Sequence, residues 1–519
     1  MCNRLHTDSS YALDRAIALH DNSHRRLALK TSGGSGRNRT TDTRIFNPLL
    51  YRLSYRAKTG DYTQSGSGGA SAEPLGGAAQ DAVRHRFERY NRRVKFNADA
   101  AFRSSDAALR GPAGSRLLAQ SSSDVVVVGG GIVGAAMALA AAQARLSVSW
   151  ITGPKRDADG PRVLPADAIA PLWDARVYAL NPGTRRFLDT LRIWPQLNAA
   201  RVAPVRDMRI FADRDGPSTL HFGAYQAASE ALAWIVEHRE LARVLNSAAA
   251  FANGIERVAA SASEVRVDAE GVAVTTGAGV RHGRLLVAAD GAQSPMRAAL
   301  SIAASSRAYR QTAIVANFFC ERAHGGTAFQ WFTDEGIVAL LPLPDDGGRH
   351  LVSLVWSAPD ALAAVLAGGG ADALARRVET IAAASVGGME PLGEPASVPL
   401  VAQAARRVIA PRAVLIGDAA HVVHPLAGQG LNLGLQDAEA LAALLTAREP
   451  FRDCGDAVLL RRYERARAEP VAAMRGMTDG LARLFGIQDP AVARLRGAGM
   501  RLIDHLPPVK RALMRQAMG

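Results

Sequence analysis

The sequence has only three cysteines in 519 residues: Cys2, Cys320 and Cys454. Being far apart and odd in number, they exclude a disulfide framework and a zinc knuckle, and they fit a reducing, cytoplasmic setting. Long apolar runs are equally scarce. The one candidate, VVVVGGGIVGAAMALAAA at 125–142, has 18 uncharged residues and sits at the threshold for a membrane span. Three successive glycines break it after four valines, so a strand, a turn and a helix explain it better. A strongly basic body is also missing. Of the net charge of +14, residues 1–120 hold +10 (20 Lys and Arg against 10 Asp and Glu), which leaves +4 for residues 121–519. A body so near balance argues against a nucleic-acid partner.

Residues 1–120 show no sustained apolar period and are rich in Ser, Gly, Arg and Asn, as in SGSGGASAEPLGGAA, so the expectation is a disordered extension. Within it, GRNRTTDTRIFNPLLYRLSY at 36–55 resembles the antisense translation of a bacterial tRNA gene. Ile45-Phe46-Asn47 complements to a phenylalanine anticodon with its flanks, and Arg37-Asn38-Arg39-Thr40 to a T arm. After Met1 no methionine occurs before Met137. We therefore expect a reading frame opened too far upstream, with the genuine start near Leu117. An organelle transit peptide is the rival, and ten acidic residues argue against it.

From residue 123 the pattern changes. DVVVV at 124–128 reads as a buried parallel strand, and Gly129-x-Gly131-x-x-Gly134 follows at once. AAMALAAAQA then reads as a helix and LSVSWIT as a second strand, the setting in which such a glycine motif binds a dinucleotide. The glycines let a pyrophosphate approach the backbone, and the helix N-terminus offers free N–H groups and roughly half a positive charge. The acid that ordinarily closes the second strand and holds the ribose is absent. Thr152 and Gly153 stand there, with Asp157 and Asp159 just beyond. Either a nearby acid substitutes, or Thr152 or water holds the ribose.

Two later segments have the same design. LLVAADGAQSPMR at 285–297 is an apolar strand ending in Asp290-Gly291, with Ser294 and Arg297 after it. On its own this reads equally well as a plain turn. VLIGD at 414–418 is another, ending in Gly417-Asp418, an acid placed to accept hydrogen bonds from sugar or ribityl hydroxyls. The full stretch GDAAHVVHPLAGQGLNLG, 417–434, packs one acid, two histidines and four glycines into 18 residues. Asp418, His421 and His424 lack a fourth ligand of suitable spacing, so no metal is expected. His421 is expected to be a satisfied, packing histidine. His424, next to Pro425, is expected to face a cavity. Gly428, Gly430 and Gly434 bracket the start of a long helix whose dipole would favour developing negative charge, worth about 0.3–1 kcal/mol at an exposed site.

The three motifs in this order resemble the flavin-dependent aromatic hydroxylases of the p-hydroxybenzoate-hydroxylase fold. HPLAGQGLNLGLQD at 424–437 is similar to the signature of the ubiquinone-biosynthesis hydroxylases, as are DARVYALNPGTRRFLDTLRIW (174–194), LAWIVEHRELARVL (232–245) and FGIQDP (485–490). The resemblance covers about residues 123–519. It implies an α/β, overall α+β, architecture: a Rossmann-type FAD domain, an inserted β-sheet substrate domain and a C-terminal helical region. The expected segments are 1–120 as extension, 121–201, 236–302 and 401–450 as FAD domain, 202–235 and 303–400 as substrate domain, and 451–519 as the helical region.

By resemblance, Gly129, Gly131 and Gly134 hold the FAD pyrophosphate. Arg176 and Arg239 contact the cofactor, Asp290 and Gly291 serve FAD and a transient NAD(P)H, and Gly417 and Asp418 hold the ribityl chain. Pro425, Gly428, Gly430, Leu431 and Asn432 line the flavin ring, and His424 and Pro425 lie nearest the reacting substrate. The implied reaction reduces FAD with NAD(P)H and passes one atom of O₂, through a C4a-hydroperoxyflavin, to a polyprenylated phenol of ubiquinone biosynthesis.

Phe329, Trp331 and Phe332 are expected in the sheet core rather than against substrate. The basic, amphipathic segment 451–519 permits helix packing or attachment to a lipid carrier, a biosynthetic complex or the inner face of the membrane. The rivals are hydroxylation of another aromatic compound, a flavin halogenase, a prenyl reductase, and a non-catalytic flavin- or lipid-binding subunit. No two tryptophans stand two apart, so the halogenase pair is missing.

Overall fold

The structure, a computed structural model, describes residues 122–154, 173–212, 220–424, 429–486, 499–500 and 502–518. The extension 1–120, its proposed internal start, Asp157, Asp159, Pro425, Gly428 and residues 487–490 of FGIQDP lie outside the described residues.

The strand Ser123–Val128 sits at the middle of the first sheet. It pairs in parallel with Val148–Ile151 on one side and with Gly279–Ala288 on the other. Its valines serve two cores in alternation. Val125 and Val127 pack with the helix Ile132–Gln143, and Val126 and Val128 with Val272, Val274 and Met296. A strand covered on both faces reads as an unbroken apolar run, which is why DVVVV was recognisable. Ile255–Val258 extends the sheet beyond Val148–Ile151, and Ala413–Leu415 extends it beyond Gly279–Ala288, both in parallel. Taken in chain order, the parallel strands lie 3-2-1-4-5 across the sheet. The order reverses between the first and fourth, and such sheets bind ligands at the carboxyl ends beside that switch point.

Ile132–Gln143 is buried from Gly134 through Ala141 with no polar face. A helix apolar all round belongs inside. Here it lies against the sheet, flanked by the helices His238–Phe251 and Gln429–Thr446.

A second sheet, almost wholly antiparallel, runs in the order His421–Val422, Met389–Ala405, Ala304–Cys320, Arg349–Pro359, Gly336–Asp346, Thr327–Thr333, Asp207–Phe211, Leu220–Gly223. One face carries Ile314, Phe318, Phe329, Trp331, Leu354 and Trp356, packed under the helices Asp360–Gly368 and Gly370–Val386. Phe329 and Trp331 stack there at 5.9 Å and Trp331 on Phe211 at 5.0 Å. Phe332 turns to the other face beside Ile337, Ile210 and Leu481. All three are core residues, as expected. The second face also carries Asn317, Gln330, Ser353 and Ser357, all buried. Leu343 and Leu351 on that side pack against Val205 and Ile235 of a small antiparallel sheet, Val177–Leu180, Ala233–Glu237 and Val202–Val205. Thus the polar face of the second sheet is turned inward.

Candidate active site

Three loops leave the first sheet side by side at its carboxyl edge. In the first, an added Cβ at Gly129 would fall 2.1 Å from the Ala289 carbonyl oxygen, and one at Gly134 would fall 2.1 Å from the Gly129 carbonyl oxygen. These glycines permit backbone contacts that no side chain would survive. Trp150, fully buried, donates its indole N–H to the Gly129 carbonyl at 2.9 Å and pins the turn. At Gly131 the same Cβ would meet nothing within 4 Å. That residue caps the helix Ile132–Gln143 without a side-chain hydrogen bond, so the helix N–H groups face open space.

The second loop folds its acid inward. Asp290 accepts from Ser294 Oγ at 2.5 Å and from the Met296 amide at 2.9 Å. Burial raises its pKa, against the pull of those bonds. Gly291, at φ +87°, has open space where its Cβ would be. Arg297 donates to the carbonyls of Ala292 at 2.8 Å and Ala419 at 2.9 Å, bridging the second loop to the third.

In the third loop, Gly417 adopts φ +59° and donates its N–H to Asp437 Oδ2 at 3.0 Å. Asp437 also binds His421 Nε2 at 2.6 Å and accepts from Arg467 Nε at 2.7 Å. It is wholly buried. Burial pushes its carboxyl up, but His421, Arg467 and the Gly417 amide together hold it below the usual range. His421 is therefore satisfied within the protein, as expected. Asp418, one residue from this knot, points the other way. It is exposed and makes no hydrogen bond to the described residues, yet burial in its surroundings raises its pKa while His421 and Arg176 lower it. The carboxylate thus stands exposed at the sheet edge, within reach of the charges of His421 and Arg176.

Arg176 and Tyr178 approach from the small sheet. The Arg176 guanidinium carbon lies 5.4 Å from the Tyr178 ring centre. The phenol is pushed up to about 12 by burial, with Arg176 opposing and Asp418 reinforcing the shift. Its hydroxyl meets His238 Nδ1 at 3.0 Å. Arg239 is exposed at the start of the next helix. Asn432 is buried, accepting from the Asn181 amide at 3.0 Å and donating to the Ala179 carbonyl at 2.8 Å. Its amide thus ties the helix Gln429–Thr446 to the small sheet. Gly430 leaves open space, and half-buried Leu431 packs on the core. Thr152, where the ribose acid is missing, keeps its hydroxyl on the carbonyls of Gly153 and Val258, at 3.3 and 3.5 Å.

His424 is enclosed rather than facing a cavity: its relative exposure is 0%. Nε2 meets Gln311 Oε1 at 3.1 Å, Nδ1 has no partner among the described residues, and the ring abuts Tyr309 edge-on at 4.6 Å. A β-bulge aims both neighbours at it. The register between Ala304–Cys320 and Met389–Ala405 slips between Ala308 and Thr312, and Arg310 takes φ +55°. Tyr309 in turn donates to Asp479, which Arg307 pairs at 2.8 Å.

Sequence reasoning missed Asp437, Arg467, Trp150, Tyr178, Asp174 and Gln311. Asp437 had a signal as the last residue of HPLAGQGLNLGLQD, and Asp174 and Tyr178 had one as members of DARVYALNPGTRRFLDTLRIW; the others had none. The Gly417 partner of Asp437 lies 20 positions away, and no local pattern reports such a pair.

The open glycines, the uncapped helix N-terminus, the exposed arginine and a carboxylate with no partner among the described residues offer donors and an acceptor to a ligand carrying both phosphate and hydroxyls, which FAD fits. A family model described as FAD binding domain matches residues 122–477. The p-nitrophenol 4-monooxygenase PnpA of Pseudomonas putida shares the fold, with a TM-score of 0.61 at 20% identity over 76% of this chain and 98% of that one. The family match covers well over half of the chain, so fold and loops together define an FAD-binding protein of this family.

Among relatives, the ubiquinone hydroxylase UbiL of Rhodospirillum rubrum is 35% identical over 399 residues, 76% of this chain and 89% of the relative. The 3-demethoxyubiquinol 3-hydroxylase of Escherichia coli is 29% identical over 401 residues, 76% and 98% of the respective chains. The chain belongs to the family of ubiquinone-biosynthesis hydroxylases.

The buried imidazole gives a pH signature. Burial lowers the pKa of His424 from 6.5 to about 4, with Asp479 opposing. A base whose folded pKa lies below its unfolded value contributes stability that is complete above pH 6.5 and is lost as pH falls towards 4. The size is about 3 kcal/mol. Chemical unfolding of His424→Gln across that window should show a shallower pH dependence than the parent chain; parallel curves would contradict the assignment.

Proposed function

We propose that this enzyme hydroxylates the aromatic ring of a polyprenylated phenol, using FAD, NAD(P)H and O₂. The observation that carries the reading is Asp418, a carboxylate with no partner among the described residues, at the sheet edge between an anion-ready helix N-terminus and the start of a second helix. When bound, FAD supplies the redox and oxygen chemistry that side chains lack. The protein's own part is to bind, orient and exclude water. Gly129, Gly131 and Gly134 would let the pyrophosphate reach the amides of the helix Ile132–Gln143, with Arg176 and Arg239 as cations. Asp418 would accept from the ribityl hydroxyls, its neighbour Gly417 being fixed by Asp437.

Gly430 and Leu431, with Pro425 and Gly428, would lie along the flavin ring, where the dipole of Gln429–Thr446 favours negative charge. Asn432 would hold that helix in place rather than touch the ring. Asp290 and Gly291 would shape the loop that the nicotinamide passes. The inward polar face of the second sheet would close the site from solvent. Pro425 would stand next to the ring substrate, and His424, enclosed behind it and held neutral by burial, would support it without touching substrate.

A lipid-like phenol must be met where lipids are. No helix among the described residues is long and apolar enough to cross a membrane. The C-terminal segment does expose Leu502, Leu506, Val509 and Leu513, and Tyr225 beside it is 96% exposed. We take this basic amphipathic segment to attach peripherally at a membrane surface. The full chain should float with anionic liposomes; recovery wholly in the soluble fraction would refute attachment.

The pathway is read from lipids. Mass spectrometry of quinone lipids from a strain lacking the gene should show a prenylated phenol short of one hydroxyl, cleared when the full chain is re-expressed. Unchanged ubiquinone in the deletion strain would redirect the reading to another aromatic substrate.

A further inference from the structure

We infer that Asp174 is the positioning residue that sets the two cofactor-facing arginines, an inference that rests on the FAD reading above. Its carboxylate makes no ion pair with either guanidinium among the described residues; it is bonded to backbone. Oδ1 accepts from the Arg176 amide and Oδ2 from the Arg239 amide, each at 3.0 Å. The two arginines are 63 positions apart in the chain, and this one side chain joins their backbones.

The same residue completes a helix. His238–Phe251 starts at Glu237, which provides no side-chain cap. The helix's first N–H groups are instead satisfied from the earlier segment: His238 donates to the Arg176 carbonyl at 2.9 Å and Arg239 to Asp174 Oδ2. A carboxylate at that end is favoured by the helix dipole. Because its charge is committed to the helix and not to the side chains, both arginines stay open to an anion.

Asp174 is itself held on its remaining sides. Its N–H donates to Glu237 Oε1 at 2.5 Å, and Glu237 Oε2 accepts from Arg201 at 3.0 Å. Its carbonyl accepts from Asn317 Nδ2 at 3.1 Å. Asn317 belongs to the second sheet, opposite Ser353. The small sheet, the helix and the second sheet thus converge on one residue, and its carboxylate fixes where the arginines emerge.

The test is flavin fluorescence on the apo form of the full chain, titrated with FAD and with riboflavin, which lacks the pyrophosphate and adenosine. Asp174→Ala should weaken FAD roughly tenfold, the effect of losing a good cap and its register. Riboflavin binding should move less than about twofold. In the parent chain Arg176→Ala should also cost FAD about tenfold, whereas on the Asp174→Ala background it should cost less than about twofold, because the arginine is already misplaced.

Asp174→Asn retains one acceptor oxygen and should lose less, still for FAD alone. It stands in if the alanine variant does not fold. Equal weakening of FAD and riboflavin would overturn the inference and make Asp174 a general stability residue, as would additive losses in the double variant or unchanged FAD affinity. A parent chain that binds no FAD would overturn the reading of the site itself.

Discussion

Everything at the sheet edge hangs on the Asp437 carboxylate. It is wholly buried and holds three partners from three places: the Gly417 amide, His421 and Arg467. A buried charge survives only when its lone pairs are met, and removing one partner of such a set is strongly destabilising. The knot binds the loop after Ala413–Leu415 to the helix Gln429–Thr446 and to the helix Ala457–Gly486. Gly434 shares the constraint, since an added Cβ there would fall 3.1 Å from Gly417 Cα and 2.9 Å from Val133. With Gly417 fixed this tightly, its neighbour Asp418 is left facing outward with no protein partner among the described residues.

The same division of labour recurs around the site. Asp290 is consumed by Ser294 and Met296, Asn432 by Ala179 and Asn181, and Thr152 by backbone carbonyls, so each shapes a loop. Asp418, Arg176 and the amides at Gly131 are left for a ligand. A site preorganised in this way loses little on binding, because the groups that must point inward are already held by groups that cannot move. The second sheet follows the same logic. One face is closed by two helices over aromatic core, while the other turns buried polar residues inward.

Much of this was legible in the chain. Parallel strands covered on both faces announce themselves as apolar runs, and the Gly-Asp and Asp-Gly endings marked the carboxyl edge. Ala-rich helix 132–143 had a strand on either side, which fixed its type. His421 was read as a satisfied histidine, and Phe329, Trp331 and Phe332 as core. What stayed hidden was pairing between distant residues. Nothing near Asp174 tells that it joins Arg176 to Arg239, and nothing near Gln311 tells that a bulge with Arg310 at positive φ turns it onto His424. The enclosure of His424 was misjudged for the same reason: its neighbours Tyr309 and Gln311 come from a strand more than a hundred residues earlier.

The central claim is that this scaffold transfers one atom of molecular oxygen to a prenylated phenol. Incubating the purified full chain with FAD, NAD(P)H and a prenylated phenol under ¹⁸O₂ tests it directly by mass spectrometry of the product. The account predicts a product carrying one ¹⁸O per new hydroxyl, with NAD(P)H consumed in step. A hydroxyl carrying oxygen from water, or reductant and O₂ consumed with no hydroxylated product, would contradict it.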